Sequence, residues 1–243
     1  MTFEELLVRC ETDPRIVGVF LGGSRGKAAN VGPESDYDLR VIVAAADDEL
    51  LAALDPPRGG EVDVAVSTLN EFRAQAFDGS GTEWDRYTFT RGRVLVDKLD
   101  GELQRLVDQK ARLRPDEARR LARRALDAYL NSLYRSLKSE RLGLELAARL
   151  HAAESIAHLV ATLFALEERV RPFHDALAWE LRTEPLRQWE GADLLARIEA
   201  ALSGEAEPQQ ALFREVEAQL RARGLADVVD AWEPDVALMR GAE

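Results

Sequence analysis

The chain has 243 residues, 46% of them hydrophobic, which suffices for one large domain or two modest ones with packed cores. Its 44 acidic and 32 basic residues give a net charge of -12, and because this field repels polyanions, nucleic acid is not expected as a partner. Cys10 is the single cysteine, which excludes a disulfide within one chain, and with three histidines it cannot build a typical zinc site.

The first residues and the hydropathy pattern bear on the location of the protein. Glu4 and Glu5 stand where a signal peptide would carry basic residues, and no apolar run approaches the length that spans a bilayer. We therefore expect a cytoplasmic protein without a membrane partner. Monomer and homodimer both stay open, because the sequence does not indicate the oligomeric state.

The first hundred residues alternate between helical and extended patterns. Thr2 and Glu5 have the spacing of a capping box, which predicts a helix that ends near Asp13. Another helix is expected over 47–54, and Thr68 is expected to cap a third. Apolar runs predict strands over 16–21, 39–43, 62–67 and 93–97. This part of the chain is predicted to be a small α/β domain.

After Gly101 the sequence becomes rich in leucine and alanine. Pro115, followed by two acidic residues, is a strong helix start, and from there to Glu168 only Gly143 interrupts the helix-favouring composition. We expect two long antiparallel helices that turn near Gly143, and then helices over 175–181, 192–202 and 209–223. The second part of the chain is thus predicted to be a helical bundle.

Three aspartates lie where neighbouring strands could bring them together. Asp36 and Asp38 stand at the entry to one predicted strand, and because side chains at i and i+2 share a face, both can point to one site. Asp63 lies in the next predicted strand, opposite the face of its apolar valines. Nucleotidyl transfer needs two divalent cations about 4 Å apart, held by carboxylates. The three aspartates therefore predict a metal site.

A glycine-rich turn precedes the aspartate pair. Gly22 and Gly23 end a predicted strand and let backbone N–H groups approach phosphate oxygens, while Ser24 could cap the following short helix and donate its hydroxyl. Three further residues complete this set. Arg25 and Lys27 could neutralise the phosphates, and the hydroxyl of Ser35 could orient the first aspartate.

These residues together resemble the motif of a known superfamily. The series Gly22-Gly23-Ser24, a loop ending Gly32-Pro33-Glu34-Ser35, then Asp36-Tyr37-Asp38-Leu39 and a later strand aspartate resembles the DNA polymerase beta-type nucleotidyltransferases, over about residues 16–70. A small domain followed by a helical bundle is most similar to the antibiotic-modifying branch, such as the kanamycin, streptomycin and lincosamide nucleotidyltransferases. The resemblance implies an α+β fold, with a small mixed-sheet nucleotidyltransferase domain at 1–100 and an α-helical bundle domain at 101–243 that contributes to the substrate cleft.

The resemblance also implies an activity. It is the transfer of a nucleoside monophosphate from ATP or another nucleoside triphosphate to a hydroxyl of a small molecule, with release of pyrophosphate and with two Mg²⁺ ions, or Mn²⁺ in their place. The residues matching Asp36 and Asp38 bind both metals, and the one matching Asp63 binds the catalytic metal. The acidic net charge suits a cationic acceptor such as an aminoglycoside. Two other hypotheses stay open, a protein-modifying (AMPylating, antitoxin-like) transferase and a non-catalytic nucleotide-binding regulator.

The helical part supplies candidates for the acceptor side. Residues 110–141 hold ten basic and four acidic residues, and Asn131, Arg135 and Lys138 are spaced to share a helical face that could meet phosphates or substrate, or simply solvent. The resemblance also implies a glutamate of the helical domain as general base, and on the next helix Glu154 is the candidate, because burial between apolar turns would suit it to proton transfer near neutral pH. His158 lies on the same polar stripe as Glu154, and Glu145 is the fallback base. The alternative is that this stripe is only the exposed side of an amphipathic helix.

Overall fold

A computed structural model of the protein describes residues 2–27, 32, 35–54 and 60–241. The chain divides into two compact units, residues 1–112 and 113–243, and each unit has buried apolar residues of its own. Among the helices of the described residues, none is long and apolar enough to cross a bilayer.

The first unit combines a sheet with short helices. Its strands are β1 (Ile16–Leu21), β2 (Tyr37–Val43), β3 (Val62–Thr68) and β4 (Arg93–Asp97). Its helices are α1 (Phe3–Thr12), α2 (Gly23–Lys27), α3 (Asp48–Leu54), α4 (Leu69–Ala74), a 3₁₀ helix (Glu83–Phe89) and α5 (Glu102–Lys110). The strand order is β3-β2-β1-β4, with β2 and β3 parallel and the other two pairs antiparallel. A mixed sheet followed by helices is therefore confirmed.

The sheet is covered by apolar side chains on both faces. Along β2 the side chains alternate, so that Leu39 and Val41 enter one core with residues of α1 and α3, while Ile42 enters another with residues of α4 and α5. The second core does not cover the start of β2 and β3. There Asp38 is half-buried and Asp63 is exposed. This uncovered end of the sheet is where the predicted site falls.

The regular elements of the second unit, in the part of the chain that the structure describes, are helices. It comprises α6 (Pro115–Arg141), α7 (Glu145–Ala165), α8 (His174–Thr183), α9 (Gly191–Ala201), α10 (Ala206–Leu220), a π-helical turn (Arg221–Leu225), α11 (Ala226–Asp230) and α12 (Val236–Arg240). The expected turn between the two long helices is confirmed at Gly143, whose φ of +70° favours glycine. The Ser136 hydroxyl of α6 donates to the Ala148 carbonyl of α7 at 2.8 Å, so the two helices pack closely.

Two elements of the first unit were not predicted from the sequence. The 3₁₀ helix contains the buried charges Asp85 and Arg86, which interrupt any apolar pattern. Helix α5 buries Leu103 and Val107 in the core beneath β1 and β4. Its apolar spacing of i and i+4 is that of an amphipathic helix, so the sequence did contain this signal. Because α5 packs within the first unit, the division of the chain lies after Arg112.

Candidate functional site

Asp38 and Asp63 are neighbours across two parallel strands. The register of β2 and β3 pairs Asp38 with Asp63 and Tyr37 with Val62. Paired residues of adjacent strands leave the same face of the sheet, and neighbouring strands lie about 4.8 Å apart. The two carboxylates therefore share a face, opposite the one on which Tyr37 and Val62 pack.

Asp36 is exposed and precedes β2. Across the described residues, no three histidine, cysteine, aspartate or glutamate side chains stand together as a group that could hold a metal ion. The convergence of all three aspartates that the sequence predicts is therefore not observed. What the strand register does provide is the adjacency of Asp38 and Asp63.

The Asp38 carboxylate packs directly against the glycine turn. Gly23 has a φ of +59°, and a Cβ built on it would lie 1.6 Å from Oδ2 of Asp38. No side chain fits at this position unless the carboxylate moves. The backbone holds the same arrangement, because the Gly22 N–H donates to the Asp38 carbonyl at 2.8 Å. Glycine at 23 is thus required both by the backbone conformation and by the close approach of Asp38.

The turn differs in two details from what the sequence predicts. The Gly22 N–H is used in the sheet, so phosphate contacts from this turn would fall to Gly23 and Ser24. Ser24 is not the residue that caps α2, because the helix begins one residue earlier, at Gly23. The side chain of Lys27, the last residue of α2, lies outside the described residues.

Arg25 and Ser35 stabilise the segment that leads into β2. The Arg25 Nε donates to the Ser35 carbonyl at 2.8 Å, and its guanidinium lies 4.3 Å from the centre of the Tyr37 ring. The Ser35 hydroxyl accepts the N–H of Gly32 at 2.9 Å. In this structure Arg25 and Ser35 therefore position the backbone around Asp36, and their predicted contacts with phosphate and with the aspartate stay predictions.

A buried carboxylate beside the site was missed at the sequence level. Asp85 accepts from Arg40 at 2.6 Å, from the Gln75 amide at 2.5 Å and from the Thr88 hydroxyl at 2.9 Å. Arg40 lies two residues after Asp38 on β2, so strand periodicity alone would have placed both on one face. Nothing in the local sequence marks Asp85 as its partner.

Buried cations accompany this carboxylate. Lys110 is fully buried, and its Nζ donates to the Gln75 carbonyl at 2.5 Å. Burial chiefly lowers the pKa of Lys110 to about 8, with Arg86 and Arg40 acting in the same direction and Asp85 opposing them. Arg86 donates to the Lys110 carbonyl at the end of α5 at 2.9 Å. Lys110 and Arg40 therefore lie near Asp85, and Arg40 is the cation that pairs with it, at 2.6 Å.

The candidate base in the helical unit is not buried. Glu154 is exposed and its Oε2 lies 3.1 Å from Nδ1 of His151, so the burial assumed for it is absent. The fallback Glu145 is also exposed, with Arg149 at 3.9 Å. His158 is half-buried, and burial lowers its pKa, against the opposing effect of Glu154. An exposed amphipathic face, the alternative stated above, describes Glu154 better.

The polar stripe on α6 is present as a shared face. Arg135 donates to the Asn131 side chain at 3.3 Å, one helical turn away, and the Lys138 ammonium lies 5.7 Å from the Tyr134 ring centre. The role of this stripe in substrate binding stays a prediction.

Comparison with known proteins adds no family to these observations. No known protein family matches the chain, and no curated protein matches it.

Proposed function

We propose that the chain is a metal-dependent nucleotidyltransferase that moves a nucleoside monophosphate from ATP or another nucleoside triphosphate to a hydroxyl of a small molecule. The observation that carries the proposal is the register of β2 and β3, which sets Asp38 beside Asp63 on a face bordered by the Gly22-Gly23-Ser24 turn. The net charge of -12 supports a cationic acceptor, such as an aminoglycoside-like compound.

The donor set fits magnesium by its chemistry. Carboxylate oxygens are the ligands that Mg²⁺ and Mn²⁺ prefer, and Asp38 and Asp63 are close enough in register to share a cation. Asp36, exposed just before β2, would complete the set. When bound, such ions neutralise the charge that develops on the triphosphate.

The residues around the carboxylates would bind and orient the nucleotide. The backbone at Gly23 carries no side chain, so its N–H would be able to approach a phosphate oxygen closely. The residues of the helical unit that the sequence predicts for the acceptor, Asn131, Arg135, Lys138 and His158, stay predictions, and the exposed Glu154 lacks the burial on which its role as the base depends.

A substitution at Asp38 tests the proposal. We expect the protein to release pyrophosphate from Mg²⁺ and ATP with at least one compound from a panel of small hydroxyl acceptors, and Asp38→Asn to abolish this release because a metal ligand loses its charge. Asp48→Asn is the matched control. Asp48 lies on α3, which packs on the opposite face of the sheet, so this substitution should leave the activity unchanged. Turnover that survives in Asp38→Asn would show the metal assignment to be wrong.

A non-catalytic nucleotide-binding regulator is the second candidate. It is favoured by the absence, in the described part of the chain, of an assembled group of three metal ligands. Calorimetric binding of ATP without pyrophosphate release across the panel would support it. Transfer of label from α-labelled ATP to a protein would instead indicate the protein-modifying alternative.

A further inference from the structure

A pocket in the second unit lies among α7, α8 and α9. Its volume is about 240 Å³. Its walls are mainly aliphatic, with contributions from Ile156, Ala157, Val160, Leu177, Ile198 and Leu202. An engineered apolar cavity of about 150 Å³ admits benzene. This pocket therefore has room for an aromatic ring with a short chain, or for a branched or medium-length alkyl chain.

Two polar side chains interrupt the apolar wall, Arg171 and His174. The Arg171 Nη1 lies 3.0 Å from Nε2 of His174. Its neighbour Arg169 pairs with Glu180 at 3.4 Å, whereas Arg171 makes no ion pair with a carboxylate among the residues that the structure describes. Burial lowers the pKa of Arg171, with no carboxylate opposing that effect.

A half-buried guanidinium without a counter-ion is unfavourable, and an anion that enters the pocket would relieve that cost. The planar fork of an arginine matches the two oxygens of a carboxylate, so a carboxylate is the head group that the site suits best. The rest of the ligand must be apolar, because the aliphatic walls offer no hydrogen-bonding partner to a polar group.

We propose that this pocket binds a small organic acid, an arylalkyl or medium-chain carboxylate, with its apolar body among α7, α8 and α9 and its carboxylate on Arg171 and His174. The site is formed within the second unit and does not depend on the function proposed above. It would serve as a ligand-binding site in either candidate function.

Isothermal titration calorimetry on the full chain tests the proposal with matched probes. The probes are 4-phenylbutyrate and octanoate, each compared with its alcohol, 4-phenylbutanol and octanol. We expect each acid to bind with one site per chain and each alcohol at least about tenfold more weakly, because the alcohol lacks the charge-assisted bonds. If neither acid binds, or if acid and alcohol bind equally, the proposal is wrong.

Substitutions locate the binding. Arg171→Met keeps a long apolar stem. It should weaken the binding of the acids by about tenfold or more and leave the binding of the alcohols unchanged. Arg182→Met, at an exposed arginine of α8 outside the pocket lining, is the matched control and should change neither affinity.

Ala157→Phe fills the pocket and should remove binding of both acid and alcohol, with circular dichroism as the check on folding. Leu202→Trp at the half-exposed rim serves the same purpose if Ala157→Phe does not fold. Acid binding that is unaffected by Arg171→Met would place the ligand elsewhere.

Discussion

At the scale of single residues, the contact between Gly23 and Asp38 has the clearest consequence for the candidate site. The missing side chain at Gly23 is the space in which the Asp38 carboxylate lies, and the backbone there adopts a positive φ. A single added methyl group would therefore act on the site in two ways, through backbone strain and through displacement of a carboxylate.

Gly23→Ala separates these two effects when compared with Gly79→Ala. Both glycines have positive φ, but a Cβ at Gly79 would meet nothing within 4 Å. We expect each variant to lose about 1–2 kcal/mol in the free energy of unfolding, from the left-handed backbone alone. Only Gly23→Ala should also lose pyrophosphate release and Mg²⁺-dependent ATP binding, because Asp38 must move. Denaturant titration and calorimetry measure the two quantities. Equal nucleotide binding in both variants would contradict the role given to this contact.

His158 gives the helical unit a pH dependence. Burial lowers its pKa from 6.5, so near and below that value the unfolded chain binds more protons at this position than the native protein does. Stability should therefore fall as the pH drops from about 7 to about 5, and His158→Gln should make the melting temperature less sensitive over this range. Thermal unfolding followed at a series of pH values tests this. An identical slope in the two proteins would exclude His158 as the cause.

At the scale of elements, one carboxylate joins three of them. Asp85 of the 3₁₀ helix holds Arg40 of β2 and Gln75 at the end of α4, and its side chain is only 6% exposed. The elements around the candidate site are thus connected by a buried polar group and not by apolar contacts alone.

Removal of that charge should be costly. Asp85→Asn leaves Arg40 without its anion, and we expect a loss of about 3 kcal/mol in the free energy of unfolding. The exposed pair of Arg73 and Glu102 at 2.6 Å is the matched control. Glu102→Gln should cost less than about 1 kcal/mol, because solvent screens this pair. Urea denaturation of the three proteins measures the difference, and similar losses in both variants would show that the buried pair has no special weight.

The elements differ in how well the sequence predicts them. Both capping boxes, Thr2 with Glu5 and Thr68 with Glu71, form as local pairs, because donor and acceptor are three residues apart. Strand β2 begins two residues before the apolar run, because Tyr37 pairs with Val62 and stacks on Phe3 at 4.1 Å. That extension depends on partners distant in the sequence, which a local pattern does not contain.

At the scale of the whole molecule, the two units each have their own core, and the place of the division affects the folding of fragments. The first unit ends at Arg112, and α5 contributes Leu103 and Val107 to its core. The Lys110 ammonium at the end of α5 donates to the Gln75 carbonyl, and Arg86 of the 3₁₀ helix donates to the Lys110 carbonyl. These bonds join α5 to the elements near the candidate site.

A fragment of residues 1–112 should therefore fold, while one of residues 1–100 should not fold cooperatively. Each buried aliphatic side chain contributes about 1.5–3 kcal/mol. The loss of two of them is a large share of the roughly 5–15 kcal/mol by which a domain is stable. Thermal denaturation followed by circular dichroism distinguishes the fragments. A cooperative transition of equal midpoint in both would show that α5 is dispensable.

The sequence by itself determined the local features of this protein, namely the apolar runs of the four strands, the two capping boxes and the turn at Gly143, because each depends on residues within a few positions of one another. Only the tertiary structure decided that Asp38 pairs with Asp63, that Arg40 reaches Asp85, and that Glu154 is exposed. These outcomes depend on strand register and packing between residues far apart in the chain. Local periodicity fixes which face a side chain lies on, but not which distant residue lies beside it.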